Sequence, residues 1–220
     1  NEETAMAAKA AVEAGNLSVS NVESKPARRN PAAPFTTSTL QQEAARKLGF
    51  SASRTMQVAQ KLYEGMDIDG ETVGLITYMR TDGVTIAQEA IATARDVIAA
   101  DYGNDYLPDS PRSYSTKAKN AQEAHEAIRP TGMDRRPQDL SRILTDEQYK
   151  LYDLIWKRSV ASQMESARFE RTTATIANDN GQATLRATGS VLKFPGFLAL
   201  YQEGIDEDNG KGDDDKDRRL

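Results

Sequence analysis

The chain is 220 residues long, with 38% hydrophobic and 28% charged residues, a net charge of -5 and no cysteine. That length covers one or two domains with a sizeable core, and the missing cysteine excludes disulfides, thiol nucleophiles and thiolate metal sites. No apolar run approaches the ~20 residues a bilayer span needs and no signal-peptide pattern opens the chain, so a cytoplasmic protein without membrane contact is expected.

Residues 1–15 are alanine-rich with interspersed glutamates, a helix signature closed by Gly15-Asn16. LSVSNVES (17–24) alternates apolar and polar residues and reads as a half-buried strand. KPARRNPAAP (25–34) carries three prolines and three bases, an extended crossing into a new unit. Thr37 or Ser38 then caps a helix with Leu40, Ala44 and Leu48 on one side and Gly49 at its end. Ser51 or Ser53 opens a second helix with Met56, Ala59 and Tyr63 on one side, stopped by Gly65. Two helices joined by a tight turn form either a helix-turn-helix or an ordinary packing unit.

Asp69-Gly70 is a turn signal, and VGLITYM (73–79) reads as a short buried strand followed by a loop at 80–84. Thr85 and Gln88 form a capping-box pattern ahead of the stripe Ile86, Ala90, Ile91, Ala94, Val97 and Ile98. Residues 101–119 are loop-rich, and NAQEAHEAIRP (120–130) reads as a helix ended by Pro130. Thr145 and Gln148 repeat the capping box before a long helix reaching about Met164. From 171 to 201, β-branched alternation around Asn180-Gly181 predicts a hairpin and further strands. The strand-like ends flank a mostly helical middle, so an α+β fold with a helical domain inserted into a β-rich one is expected. Beyond Ile205 the chain is charged and Gly/Asp-rich, a flexible linker by composition. Residues 203–220 hold eight acids and four bases; that -4 leaves -1 for the remainder, a near-neutral body that still accommodates a local basic patch.

Two constellations bear on chemistry. In GLITYMRTDG (74–83), Tyr78 and Arg80 lie two apart and face one side if the strand continues. A phenol is a poor nucleophile near neutral pH unless its proton is removed or nearby positive charge steadies the oxyanion. Arg80 suits a phosphate clamp beside it, and Asp82 lies beyond in the loop. The plainer alternative is a tyrosine packed at a strand end with an arginine pairing a surface acid. In AQEAHEAIRPT, helical spacing places Gln122, His125 and Arg129 on one face, with Lys117 and Lys119 upstream. That set suits a phosphate or nucleotide; an exposed polar helix face is the alternative. His125 is the only histidine, so a metal site is not expected here.

GLITYMRTDG followed by KNAQEAHEAIRPT resembles the active-site region of bacterial type IA DNA topoisomerases. PFTTSTLQQEAARKLGFSASRTMQVAQKLYEG upstream and LRATGSVLKFPGF downstream are similar to that family in the same order. The resemblance implies that Tyr78 attacks a single-strand DNA phosphodiester and becomes linked to the 5′ phosphate, so that a strand passes through the break and negative supercoils relax without ATP. It implies that Arg80 positions the scissile phosphate, and that Asp82 and His125 belong to a nearby nucleotide-binding site; Gln122, Arg129, Lys117 and Lys119 are weaker DNA contacts. The family commonly has serine where this chain has Gly83. It also implies Mg²⁺ at a Toprim domain outside this chain, with that domain and the remaining core as partners alongside single-stranded and negatively supercoiled DNA in the bacterial nucleoid. The chain is thus expected to be a central fragment, inactive alone. The domains expected are 1–34 and 169–205 as two parts of a β-rich arch, 35–168 as the helical domain with the active-site tyrosine, and 206–220 as an acidic linker. A single-stranded DNA-binding or hinge module without chemistry is the alternative.

Overall fold

The computed structural model describes residues 1–68, 70–115 and 126–202, which fall into two compact units. One consists of Asn1–Arg29 and Ala167–Pro195, and the other of Asn30–Ser166 with residues 196–202. Helices and sheets both contribute, as the α+β reading expects.

The first unit is a three-stranded antiparallel sheet with one helix. Helix α1 (Glu2–Glu13) starts at Asn1, whose side chain accepts the Thr4 amide at 2.8 Å. Its last carbonyls are met by asparagines near the hairpin turn: Asn178 donates to the Ala11 oxygen at 2.8 Å and Asn180 to the Ala14 oxygen at 3.1 Å. Strand β1 (Leu17–Arg29) pairs with β4 (Ala167–Asn178), and β4 pairs with β5 (Thr184–Phe194), so β4 is central. The β4–β5 turn holds Gly181 at φ 72°, a left-handed conformation that favours glycine, as the Asn180-Gly181 signal predicts. Strand β1 runs through the proline-containing stretch expected to be a crossing, and Pro26 stands opposite Glu170. An edge strand tolerates this, because proline's missing amide faces away from the ladder.

The second unit is helical. Helices α2 (Thr37–Leu48), α3 (Ala52–Glu64), α4 (Gln88–Asp101) and α5 (Asp146–Ala161) surround one core, with α5 touching the other three. Leu40 and Ala44 of α2, Val58 and Leu62 of α3, Ala94 and Ile98 of α4, and Leu151 and Ile155 of α5 are all buried. The polar groups of α5 that enter this core are satisfied: Tyr152 donates to the Arg135 oxygen at 2.7 Å and Trp156 to the Met133 oxygen at 2.8 Å. A small hairpin, β2 (Met66–Ile68) with β3 (Glu71–Val73), follows α3.

Several expectations differ from what is observed. The run 73–79 is not a strand beyond Val73, because its backbone groups find partners in three separate segments. Leu75 N–H donates to the Leu62 oxygen at 2.8 Å, Thr77 N–H donates to the Arg129 oxygen at 2.9 Å, and the Met79 oxygen accepts the Thr37 hydroxyl at 2.8 Å. Residues 126–130 are not helical: Ile128 forms a bridge with Phe35 and Pro130 with Ile76. Helix α4 begins at Gln88 without a side-chain cap, since Thr85 is held in an extended crossing where its carbonyl accepts the Ala127 amide at 2.9 Å. The buried face of α3 is Thr55, Val58, Ala59 and Leu62, leaving Tyr63 exposed. Residues 196–202 lie with the helical unit rather than with the β segment before them. Gly196 adopts φ 49°, and a Cβ there would stand 2.4 Å from the Glu165 oxygen, so only glycine admits this close approach. Phe197 and Tyr201 are buried just beyond it, the Tyr201 hydroxyl donating to Glu43 at 3.0 Å.

Candidate active site

The sequence TYMRT lies between the end of α3 and the start of α4, and its side chains alternate in exposure without a regular ladder. Tyr78, Arg80 and Asp82 are exposed, whereas Met79, Thr81 and Gly83 are buried. Tyr78 and Arg80 are therefore both open to solvent, but the strand on which the same-side expectation rested is not formed. Met79 is the anchor between them, 1% exposed in the core.

Threonines flank the exposed pair on both sides. Thr77 donates its hydroxyl to the Ala127 oxygen at 2.6 Å and accepts the Arg129 amide at 3.0 Å. Thr81 is tied to Thr37 at the first residue of α2, and its own hydroxyl accepts the Gly83 amide at 2.9 Å. With the backbone pinned at both ends, Tyr78 and Arg80 project from a fixed base. Sequence reasoning missed these threonines; the signal was the repeat of threonine four apart around the tyrosine and arginine.

The ring of Tyr78 meets that of Tyr63 edge-to-face, centroids 5.4 Å apart and planes at 65°, an arrangement favoured by the aromatic quadrupole. Tyr63 was expected to pack within its helix pair and instead stands beside the candidate nucleophile. Gly74 brings the two segments together, since a Cβ there would lie 2.7 Å from the Tyr63 carbonyl oxygen. Among the described residues, the Tyr78 hydroxyl makes no hydrogen bond, and Arg80 makes no ion pair. By contrast, Tyr152 and Tyr201 are core residues whose hydroxyls are already bonded, and burial pushes both phenols above their ordinary range. A free, exposed phenol two residues from a free, exposed guanidinium gives a phosphodiester both a nucleophile and a clamp.

Of the remaining sequence-derived residues, Lys117, Lys119, Gln122 and His125 lie outside the described residues. Arg129 is described and is not on a helix, so the shared helical face does not include it. Its guanidinium is engaged by Glu126, at 2.6 Å and 3.1 Å, and by the Pro130 oxygen at 2.9 Å. Among the described residues no group of three or more His, Asp or Glu side chains could hold a metal ion. No helix among the described residues is long and apolar enough to cross a membrane.

The chain is similar to full-length topoisomerase I from Thermotoga maritima, with a TM-score of 0.75 and 34% identity over 94% of this chain and 34% of that one. Residues 1–216 match the family described as DNA topoisomerase, and the chain belongs to that family. Its relatives include DNA topoisomerase 1 of Rickettsia bellii, 56% identical over 88% of this chain and 24% of that protein. DNA topoisomerase 1 of Zymomonas mobilis is 55% identical over 98% of this chain and 17% of that protein. The chain thus spans about a quarter or less of the length of these two curated relatives.

Proposed function

We propose that this chain supplies the nucleophile-bearing part of a type IA DNA topoisomerase, with Tyr78 as nucleophile and Arg80 as phosphate clamp. The observation that carries the reading is the exposure of Tyr78 and Arg80 from a run whose neighbouring residues are buried and pinned. The Tyr78 oxygen attacks the phosphorus of a single-strand phosphodiester, the P–O3′ bond breaks, and a 5′-phosphotyrosyl link forms. The phenol gives up a proton and the leaving 3′ oxygen gains one. Resealing is the reverse attack, so strand passage and relaxation of negative supercoils need no ATP. Arg80 holds the non-bridging oxygens as charge builds on them, the electrostatic role that phosphoryl transfer asks of a protein.

In this reading residues 30–166 with 196–202 form the helical domain with the active-site tyrosine, and the three-stranded sheet is part of a β-rich arch. Asp82, His125, Gln122, Lys117 and Lys119 contact DNA, and Arg129 contributes from its pair with Glu126. Single-stranded and negatively supercoiled DNA are the partners, in the bacterial cytoplasm, and Mg²⁺ belongs to a Toprim domain carried by other parts of the enzyme.

The test places this sequence in the matched segment of a full-length family member and incubates it with an end-labelled single-stranded oligonucleotide and Mg²⁺. Covalent protein–DNA adduct is expected after denaturation, and Tyr78→Phe is expected to abolish it while oligonucleotide affinity stays within about twofold. Undiminished adduct from the Phe variant overturns the assignment of the nucleophile. An unsubstituted protein that binds the oligonucleotide but never forms adduct favours a binding or hinge module instead.

A further inference from the structure

We propose that Thr37 is a positioning residue for the cleavage step: it fixes the backbone on which Arg80 stands, and so sets where the guanidinium meets the scissile phosphate. The inference rests on the reading of Tyr78 and Arg80 just given.

Thr37 touches Arg80's neighbours on both sides. Its hydroxyl lies 2.8 Å from the Met79 oxygen and 3.1 Å from the Thr81 oxygen, sharing one proton between them. The same hydroxyl oxygen accepts the Thr81 amide at 2.8 Å, and the Thr37 amide donates to the Thr81 oxygen at 2.9 Å. Four contacts from one residue thus close around the tripeptide Met79-Arg80-Thr81. No strand ladder does this work, because the run leaves the regular hairpin at Val73.

Thr37 itself is held rigidly. It is the first residue of α2, inside the Thr36–Thr39 capping box, and α2 is fastened by buried Leu40, Glu43 and Ala44. The latch therefore joins an exposed functional segment to a helix with its own place in the core, the arrangement a positioned site requires. A guanidinium on a long side chain searches a wide volume unless its backbone is still, and displacement of about 1 Å at a reacting centre costs roughly 100-fold in rate. Thr37 touches no reacting atom; it acts through Arg80.

The test uses the full-length protein already described and measures the rate of adduct formation at saturating oligonucleotide alongside oligonucleotide affinity. Thr37→Val keeps the side chain's shape and removes the hydroxyl. It is expected to slow adduct formation by roughly 10- to 100-fold with affinity unchanged, and Thr37→Ser, which restores the hydroxyl, is expected to recover most of the rate. In the Arg80→Ala background Thr37→Val is expected to add no further loss, as it must if it acts through that residue. Should the Val variant fail to fold, Thr37→Cys, with a weaker donor of similar size, takes its place. Adduct formed at the unsubstituted rate by a folded Val or Cys variant overturns the inference, as does an equal loss in the Arg80→Ala background. Adduct surviving in Tyr78→Phe instead overturns the nucleophile reading beneath it, so the two failures are told apart.

Discussion

At the scale of single residues, the site depends on a close approach that only glycine allows. A Cβ at Gly74 would stand 2.7 Å from the carbonyl oxygen of Tyr63, and Leu75 next to it donates to the Leu62 oxygen at 2.8 Å. The obstacle is backbone at the end of α3, which does not swing aside as a side chain would. Gly74→Ala is therefore expected to destabilise the protein by about 1–3 kcal/mol, read as a lower urea midpoint with an unchanged slope. A midpoint equal to that of the unsubstituted protein would show that α3 yields freely. The neighbourhood of Tyr78 was legible in part. The two-residue spacing of Tyr78 and Arg80 suggested a common side on a strand that is not formed; both are nevertheless exposed. What held them was hidden, because the anchors Thr37 and Ala127 lie 44 and 50 residues away from Thr81 and Thr77. Gly83, where the family commonly has serine, is buried and gives its amide to the Thr81 hydroxyl.

At the scale of elements, the same cap signature had two outcomes. Thr145 and Gln148 form a full capping box: the Thr145 hydroxyl accepts the Gln148 amide and the Gln148 side chain accepts the Thr145 amide. Thr85 and Gln88 share that spacing and make no cap, because α4 starts only at Gln88 with Ala87 as its N-cap, two residues past Thr85, whose carbonyl is taken by the Ala127 amide. Thr145→Ala is thus expected to cost about 1 kcal/mol, a fall of roughly 2–4 °C in melting temperature, whereas Thr85→Ala stays within about 0.5 kcal/mol. Equal losses at the two positions would contradict the distinction. The Gly49 stop of α2, the Ser51 cap of α3 and the capping box of α5 were readable. The α2 cap, however, is Thr36 rather than Thr37 or Ser38, and the buried face of α3 is turned to Thr55, Val58, Ala59 and Leu62. Residues 126–130 were not readable, since their alanine and glutamate composition favours a helix while their backbone is claimed by Phe35, Ile76 and Thr77. Long-range pairing of this kind leaves no local period to read.

At the scale of the whole molecule, four tyrosines of the helical unit tie its stability to alkaline pH. Tyr102, Tyr114, Tyr152 and Tyr201 are raised above the ordinary phenol value, in each case chiefly by burial. Folded protein then holds these protons more tightly than the unfolded chain does. Their contribution is complete below about pH 10, the unfolded value, and is lost as pH rises from there towards the raised folded values. Melting temperature is expected to fall steeply above pH 10, and less steeply in Tyr201→Phe, which has no proton to lose at that position. Identical slopes for the two proteins between pH 9 and 11.5 would remove Tyr201 from the account.

The sheet order has a consequence for the time course of synthesis. Leu17 pairs with Asn178 and Arg29 with Ala167, so Asn30–Ser166 of the helical unit is translated between the two strands of that ladder. At about 5–20 residues per second, β1 leaves the ribosome roughly 7–30 s before its first partner exists. During that interval it is a lone strand with Leu17, Val19 and Val22 along it, a segment open to wrong pairing with another nascent chain. The charged residues Glu23, Lys25, Arg28 and Arg29 and the proline at 26 occupy its second half, and such residues discourage strand addition. The stretch that reads as a poor strand in isolation is thus suited to waiting for the one partner that arrives late.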